Sequence, residues 1–508
     1  MKKRLYSWHR WLGVLPCAAI FLWCVSGFTH PLMNWTQPRP KVRVLPAQSL
    51  ASDNFDNTLA EVLKRNNIAD IKSLNVVSFN NRTYYQIKTD EVSPPLYLDT
   101  QTAEPLADGD RVYAVHVARG YLQDSQAKVI DVEYLQDFND DYREINRLLP
   151  VYQITFDRAD GMRAYIETTG AKLSTLVNNT KYRLNWFFGF FHNWNFLGTT
   201  DSVRWSFIVG FALLTFIAAA SGILVYGFFW NSFSKTADSA SARGWLRKYH
   251  RRIGIFVAAT MLTFSFSGGF HALVKLRNNN ADEKTRFVVA QFAPAELSFP
   301  LSKALAAPEG QKDAVGVSLV RFQNAACYRI TRADKKVEYV NASTGERLND
   351  SAENQYTRQL ANSFSGLREE QIASMTLVTK FDDEYGFAYK RLPVVNVQYE
   401  DAANTRYYVD PASGALAANF SDSSQSFENW TFSYIHKWHF LNPIGSIARD
   451  IVMMLFVLVN ATVSGMGLVL FAMWFKPRRR LNRIIGKAGS SAGKEELVAA
   501  NLVRARTE

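Results

Sequence analysis

Residues 8–30 of the chain read WHRWLGVLPCAAIFLWCVSGFTH, and residues 249–271 read YHRRIGIFVAATMLTFSFSGGFH. Each stretch opens with an aromatic residue and a His-Arg pair, has a glycine three residues after the arginine, and ends with Ser-Gly-x-x-His. The two histidines of each stretch are separated by 21 residues. Because two distant stretches share every one of these spacings, the chain contains an internal duplication.

The duplication extends over both halves of the chain. The segment FHNWNFL at 191–197 recurs as IHKWHFL at 435–441. Each copy precedes an apolar segment that contains a Ser-Gly pair, at 221–222 and at 464–465. The offsets between equivalent residues stay between 241 and 244, so we interpret the chain as two duplicated halves.

Four apolar segments, 12–33, 203–230, 253–276 and 447–475, are long enough to cross a bilayer core of about 30 Å as helices. The mean hydropathy of −0.14 is too low for a protein that lies wholly inside the bilayer, so membrane and aqueous segments alternate. We therefore predict transmembrane helices at 1–33, 201–230, 251–276 and 446–475, large aqueous regions at 34–200 and 277–445, a loop at 231–250 and a tail at 476–508.

Lysines and arginines flank the predicted helices on one side of the membrane, at residues 2–4, 243–252 and 476–480. Positively charged flanks stay in the cytoplasm, so both termini and the loop are expected there and the two large regions in the periplasm. The net charge of +12 is accounted for mostly by these flanks and is not taken as a sign of nucleic-acid binding.

The two large regions combine strand and helix signals. Alternating apolar and polar residues at 151–156 and 164–170 predict strands joined by a turn, and residues 58–66 and 351–364 predict helices. We expect two α+β modules in each half, four in all. Since each half contains two spans, the halves enter the membrane in the same direction and are related by a pseudo-two-fold axis along the membrane normal. The predicted fold class is a four-helix membrane protein with two large α+β regions.

Six of the eight histidines occupy duplicated positions at the ends of predicted spans: His9, His30, His192, His250, His271 and His436. Such side chains are costly at a membrane, which favours a functional role. Bare zinc or copper needs three or four clustered ligands, whereas a haem iron needs one imidazole from each of two helices. Because the chain has no C-x-x-C-H attachment motif, the pattern predicts b-type haem with these histidines as iron ligands. His116 and His439 lack duplicated counterparts, and their roles stay open.

A helix of 21 residues rises about 31 Å, so one helix can present a histidine at each side of the membrane. On the cytoplasmic side only His9 and His250 are available, and we predict that they share one inner haem. The neighbouring Arg10 and Arg251 are expected to pair with its propionates. The other four histidines lie on the outer side and are compatible with one or with two haems.

The pattern WHRxxG, SGxxH and HxW before a second Ser-Gly span resembles the PepSY-associated transmembrane family over nearly the whole chain to about residue 475. That family includes ferrisiderophore reductases, inner-membrane proteins of bacteria that use b-type haems to release iron from siderophores. The resemblance implies PepSY-like periplasmic regions and an oxidoreductase role in iron uptake, with a ferric siderophore or ferric chelate as acceptor.

Two other functions remain as alternatives to electron transfer. One is a haem-free, membrane-anchored protein whose periplasmic regions bind or inhibit a partner, and the other is a transporter of iron or a siderophore. The sequence contains no P-loop or G-x-G-x-x-G fingerprint, so electrons are expected to come from another molecule. Membrane quinol and a cytoplasmic flavoprotein are both compatible donors.

Overall fold

A computed structural model describes residues 2–51, 54–139, 141–198, 201–233, 241–278, 286–288, 290–306, 312–382, 384–422 and 424–488. The chain divides into two compact units. The helical unit comprises residues 1–35, 184–281 and 427–508, and the sheet unit comprises residues 36–183 and 282–426. Part of the predicted loop, 234–240, and the predicted tail beyond residue 488 lie outside the described residues.

Helices and strands are numbered in chain order. The helices are α1 (Lys2–Thr36), α2 (Leu59–Arg65), α3 (Gly109–Leu122), α4 (Asn179–Phe191), α5 (Asp201–Ile223), α6 (Trp230–Phe233), α7 (Ala242–Asn278), α8 (Leu301–Leu305), α9 (Ala352–Ser365), α10 (Ser424–Trp430) and α11 (Ser446–Ala488). The strands are β1 (Ser73–Phe79), β2 (Arg82–Lys88), β3 (Leu96–Asp99), β4 (Val129–Leu135), β5 (Val151–Phe156), β6 (Arg163–Glu167), β7 (Lys172–Val177), β8 (Arg286–Phe287), β9 (Ala314–Phe322), β10 (Ala325–Arg332), β11 (Val337–Asn341), β12 (Ile372–Val378), β13 (Val394–Tyr399), β14 (Arg406–Asp410) and β15 (Ala415–Phe420). Two π-helical segments, Leu224–Phe228 and Thr431–His436, follow α5 and α10.

Four helices in the described part of the chain are long and apolar enough to cross a membrane: Arg4–Thr36, Ser202–Phe228, Ala242–Arg277 and Ser446–Trp474. This confirms the four predicted membrane helices. Three of them are longer than the apolar segments: α1 begins at Lys2, α7 begins within the predicted loop and α11 continues into the predicted tail. These extensions are rich in arginine and lysine, which have high helix propensity, so the helix continues past the apolar segment.

The sheet unit contains three antiparallel sheets among its described residues. One has the strand order β4-β5-β6-β7 and comes from the first half, and one has the order β12-β13-β14-β15-β8 and comes from the second. The third, β11-β10-β9-β1-β2-β3, takes three strands from each half and is joined where Asn75 of β1 lies opposite Ser318 of β9. The α+β character is as predicted, but the first modules of the two halves share one sheet. Pairing their edge strands leaves fewer unpaired backbone groups than two separate three-stranded sheets would have.

One helix packs on each of the two remaining sheets. Tyr356 and Leu360 of α9 are buried against β13 and β14, at the four-residue spacing of one helical face. In the first half, Tyr113 and Val117 of α3 are buried against β5 and β6 in the same way. The duplication therefore appears in the packing of the sheet unit as well as in its sequence.

The pH dependence of stability provides a test of the α3 packing. Asp110 is buried on α3, where the Tyr97 hydroxyl donates a hydrogen bond of 2.9 Å to its Oδ1. Burial raises the pKa of the Asp110 carboxyl from 3.8 to about 6. A carboxyl with a raised folded-state pKa stabilises the fold fully below its unfolded pKa, and this contribution disappears as the pH rises through the folded pKa.

We expect the free energy of unfolding to fall by about 2–3 kcal/mol from this group between about pH 4 and about pH 7, at 1.36 kcal/mol per pKa unit. Asp110→Asn should remove that part of the pH dependence, because the amide does not ionise. Thermal unfolding of the purified full-length protein at the two pH values measures the difference between wild type and variant. Equal pH dependence in both proteins would contradict the assignment.

Candidate functional site

The first group of functional side chains lies near the starts of α1 and α7, and we call His9 and His250 the paired-histidine site. The Nδ1 atom of His9 lies 2.9 Å from the Oγ atom of Ser221 on α5. A Cβ atom on the next residue, Gly222, would lie 3.2 Å from the Cε1 atom of His9. The Ser-Gly pair of α5 therefore holds the ring by a hydrogen bond and leaves room for it on the same side.

His250 is held by the main chain of α11. Its Nδ1 atom lies 3.1 Å from the carbonyl oxygen of Val463, and a Cβ atom on Gly467 would lie 3.6 Å from its Cε1 atom. The duplicated serine, Ser464, instead donates a hydrogen bond of 2.7 Å to the carbonyl of Cys17. The two histidines thus have similar surroundings but different hydrogen-bond partners.

These partners determine which ring nitrogen carries the proton. The Ser221 hydroxyl has one hydrogen, which it donates to the Ala218 carbonyl at 2.9 Å, so towards His9 it accepts. A carbonyl such as that of Val463 can only accept. In both rings Nδ1 therefore carries the proton and Nε2 keeps its lone pair, as a histidine that ligates a metal through Nε2 requires.

Both rings line one cavity of about 1240 Å³, measured together with its mouth. The polar groups that share this cavity include Arg10, Arg243, Arg247, Tyr6 and Tyr226. Buried Nε atoms of Arg10 and Arg243 have no hydrogen-bond partner within the described protein. Since buried guanidinium groups are normally paired, this end of the cavity suits a ligand that carries carboxylates.

The structure separates the two arginines that the sequence suggested as partners of a haem. Arg10 lines the cavity, with its Cζ atom 4.5 Å from the centre of the Trp474 ring. Arg251 is absent from the described residues that line the cavity; its Cζ atom lies 3.3 Å from the centre of the Trp230 ring, and it donates to the Trp230 carbonyl. Sequence reasoning used Arg243 and Arg247 only for orientation, and no feature of their spacing distinguishes them from other flanking residues.

The remaining four duplicated histidines belong to the other end of the spanning helices, and we call His30, His192, His271 and His436 the four-histidine cluster. Two of them repeat the arrangement of His9. The Nδ1 atom of His192 lies 3.2 Å from Ser26 Oγ, and that of His436 lies 3.0 Å from Ser267 Oγ. Both serines donate their hydroxyl proton to a carbonyl of their own helix, so the histidine nitrogens donate to them.

The glycines of the two Ser-Gly pairs provide the space for these rings. A Cβ atom on Gly27 would lie 3.7 Å from the Cε1 atom of His192. The corresponding distance from Gly268 to His436 is 3.3 Å. The Ser-Gly-x-x-His motif therefore places a histidine of its own and also positions a second one from a neighbouring helix.

The four rings lie together. The ring centres of His192 and His436 are 6.4 Å apart and their planes are inclined at 74°. His436 also interacts electrostatically with His30 and His271. His30 and His271 each pack against a phenylalanine, Phe188 and Phe432. The structure thus brings all four predicted residues into one cluster, and His30 and His271 pack against equivalent phenylalanines.

Neither site is suited to a bare metal ion. Among the described residues, no group of three or more histidine, cysteine, aspartate or glutamate side chains is arranged to hold a metal ion. Haem iron takes its remaining ligands from the macrocycle and needs only one or two imidazoles from the protein. The unprotonated Nε2 atoms, the two arginine Nε atoms without hydrogen bonds and the mainly apolar lining of the cavity fit that group.

Each of the two histidines without duplicated counterparts packs against a tyrosine. His116 belongs to α3 of the sheet unit and stacks on Tyr113, with ring centres 6.3 Å apart. His439 belongs to the helical unit, and its ring centre is 6.4 Å from that of Tyr434. Both serve as natural comparison residues for the six duplicated histidines.

A family model described as PepSY-associated TM region matches residues 6–325 of the chain. The match covers more than half of the chain, including both copies of the His-Arg motif. The chain belongs to this family. A search of curated proteins found no significant match. Membership of the PepSY-associated TM region family, together with the four apolar helices, makes the chain a multi-pass membrane protein of the PepSY type.

Proposed function

We propose that this PepSY-associated protein is a b-type haem electron carrier of the bacterial inner membrane that reduces a ferric chelate on the periplasmic side. The observation that carries the proposal is the repeated fixing of histidine rings through Nδ1. In five of the six duplicated histidines the Nδ1 atom is hydrogen-bonded to a serine hydroxyl, a carbonyl or a carboxylate. Such contacts orient an imidazole and raise its basicity as a metal ligand.

In this proposal the chain binds and orients haem at two depths in the membrane. His9 and His250 hold one haem, with Arg10, Arg243 and Arg247 neutralising its propionates. The four-histidine cluster holds one or two more. When bound, haem supplies reversible one-electron transfer, and the protein residues set its position and potential.

Orientation follows the positive-inside rule, with the paired-histidine site towards the cytoplasm and the four-histidine cluster towards the periplasm. The sheet unit would then be periplasmic and would provide the surface that meets the acceptor. Electrons come from quinol or from a flavoprotein that docks on the basic cytoplasmic segments. A ferric siderophore is the acceptor class that the family resemblance favours.

The two alternative functions explain fewer of the contacts. A haem-free binding protein would gain nothing from six oriented rings inside a membrane, where polar side chains are costly. Transporters that bind ions at mid-membrane use discontinuous helices, whereas α1, α7 and α11 continue through their apolar segments.

The test is to purify the full-length protein from haem-replete cells and to measure haem by the pyridine haemochrome spectrum and protein by amino-acid analysis. We expect two or three b-type haems per chain that are extractable with acid acetone. Addition of a ferric chelate to the reduced protein should reoxidise the haem bands. A folded protein without haem would refute the proposal, and haem that a ferric chelate does not reoxidise would refute the assigned acceptor.

A further inference from the structure

The two halves of the chain differ at one buried acid in the four-histidine cluster. Glu428 of α10 is 7 % exposed, and its Oε1 atom is hydrogen-bonded to the Nδ1 atom of His271. The Phe432 ring covers the other side of this arrangement, stacked on His271 with ring centres 4.2 Å apart. His271 is therefore fixed between an aromatic ring and a carboxylate.

The first half lacks this acid. His30 and Phe188 correspond to His271 and Phe432. The offset of 244 between the two phenylalanines places Leu184 at the position of Glu428. Leucine cannot accept a hydrogen bond or carry a charge. The two-fold related histidines therefore have chemically different surroundings, although the sequence motifs that contain them are the same.

Neighbouring charges do not restore the symmetry. Asp450 interacts electrostatically with His30, but its Oδ1 atom accepts hydrogen bonds of 3.0 and 2.7 Å from Arg449 and its Oδ2 accepts one from Trp35. Its charge is thus compensated. Glu428 interacts electrostatically with Lys437, and Asn193 occupies the position of this lysine in the first half.

We propose that Glu428 is a positioning residue that makes His271 the most electron-donating histidine of the cluster and lowers the reduction potential of the haem that His271 ligates. This inference rests on the proposed function. The Nδ1–H group of His271 donates to a carboxylate, whereas those of His192 and His436 donate to neutral serine hydroxyls. A negatively charged acceptor gives the imidazole partial imidazolate character, which stabilises ferric over ferrous iron.

The functional consequence is an asymmetry between halves that arose by duplication. A haem with a lower potential is the stronger reductant, so the site next to Glu428 is suited to pass its electron to the ferric acceptor. The second half of the chain is then specialised for delivering the electron to the ferric acceptor.

The experiment is a redox titration of the purified full-length protein, followed at the haem absorption bands, with the pyridine haemochrome as a measure of haem content. Glu428→Gln keeps a hydrogen-bond acceptor and removes the charge. We expect the midpoint potential of one haem to rise by about 59 mV, which corresponds to a tenfold shift of a one-electron equilibrium. The other haems should keep their potentials. Electron paramagnetic resonance of the ferric protein should show altered g values for the same haem.

Two further variants make the test specific. Glu428→Asp retains the charge and should return the potential towards that of wild type. Ser267→Ala removes a neutral partner from His436 in the same cluster and should shift a potential less than Glu428→Gln does. Loss of one haem in Glu428→Gln with retention in Glu428→Asp would also support the positioning role, because it shows that the carboxylate is needed to hold His271 for ligation.

Unchanged potentials and g values in Glu428→Gln with full haem content would overturn the proposal, as would equal effects of Glu428→Gln and Ser267→Ala. Absence of haem from the wild-type protein is a different result, since it refutes the proposed function itself.

Discussion

Replacing His9 or His250 with alanine is expected to remove one haem from the protein and to leave the remaining haem bound. The two rings line the same cavity and interact electrostatically, so each variant would remove one of the two histidines that would hold the same haem. A b-type haem is held without covalent attachment, and loss of one protein ligand either releases it or converts a low-spin to a high-spin spectrum. Haem content per chain and the ferric absorption spectrum measure the change.

The double variant distinguishes a shared site from two separate sites. Since each single change disrupts the same site, His9→Ala combined with His250→Ala should lose no more haem than the worse single variant. His116→Ala is the matched control, because this ring lies in the sheet unit and should leave haem content unchanged. Additive loss of two haems in the double variant would mean that the two histidines serve separate sites.

The sequence predicts the membrane helices well, for a physical reason, and the same reasoning assigns the histidines to two sides of the membrane. An apolar segment of about 20 residues has few alternatives to a spanning helix, and 21 residues of helix separate His9 from His30 by about one membrane thickness. The duplication then implies that His250 lies at the depth of His9. These inferences need only helix geometry and symmetry, which tolerate errors in the positions of individual side chains.

Contacts between segments distant in sequence could not be predicted in the same way. Arg243 reaches the cavity and Arg251 packs on Trp230, although both are basic residues near the start of the same helix. The difference depends on which face of α7 meets its neighbours. Similarly, the pairing of β1 with β9 joins strands from different halves. The alternation of apolar and polar residues within a strand gives no information about which strand lies next to it.

The Ser-Gly pairs show what a motif can and cannot reveal. In the sequence, the pairs at 26–27 and 267–268 precede the histidine of their own Ser-Gly-x-x-His motif. In the structure Ser26 and Ser267 bind the ring nitrogens of His192 and His436, which lie 166 and 169 residues away in the chain. Each half carries one HxW segment, and the histidine of that segment needs a hydrogen-bond partner, so the sequence indicates that such a partner exists. Only the folded helices show which residue it is.

The second large effect is expected from the four-histidine cluster. His192→Ala combined with His436→Ala should abolish reduction of a ferric chelate while leaving the haem of the paired-histidine site bound and reducible by dithionite. The two rings are the central members of the cluster, with centres 6.4 Å apart, and each is fixed by a serine on a neighbouring helix. Without them the cluster loses two of its four candidate iron ligands, so haem binding at this end of the proposed path and one-electron transfer to the chelate should both be disrupted.

Proteoliposomes provide the measurement, with reductant supplied on the proposed cytoplasmic side and a ferric chelate on the proposed periplasmic side. The wild type should form ferrous product, and the double variant should retain partial haem content but form none above the protein-free rate. His439→Ala is the control, since it removes a histidine that neighbours His436 in sequence but has no duplicated counterpart. Normal chelate reduction by the double variant would show that His192 and His436 are not needed in the electron path.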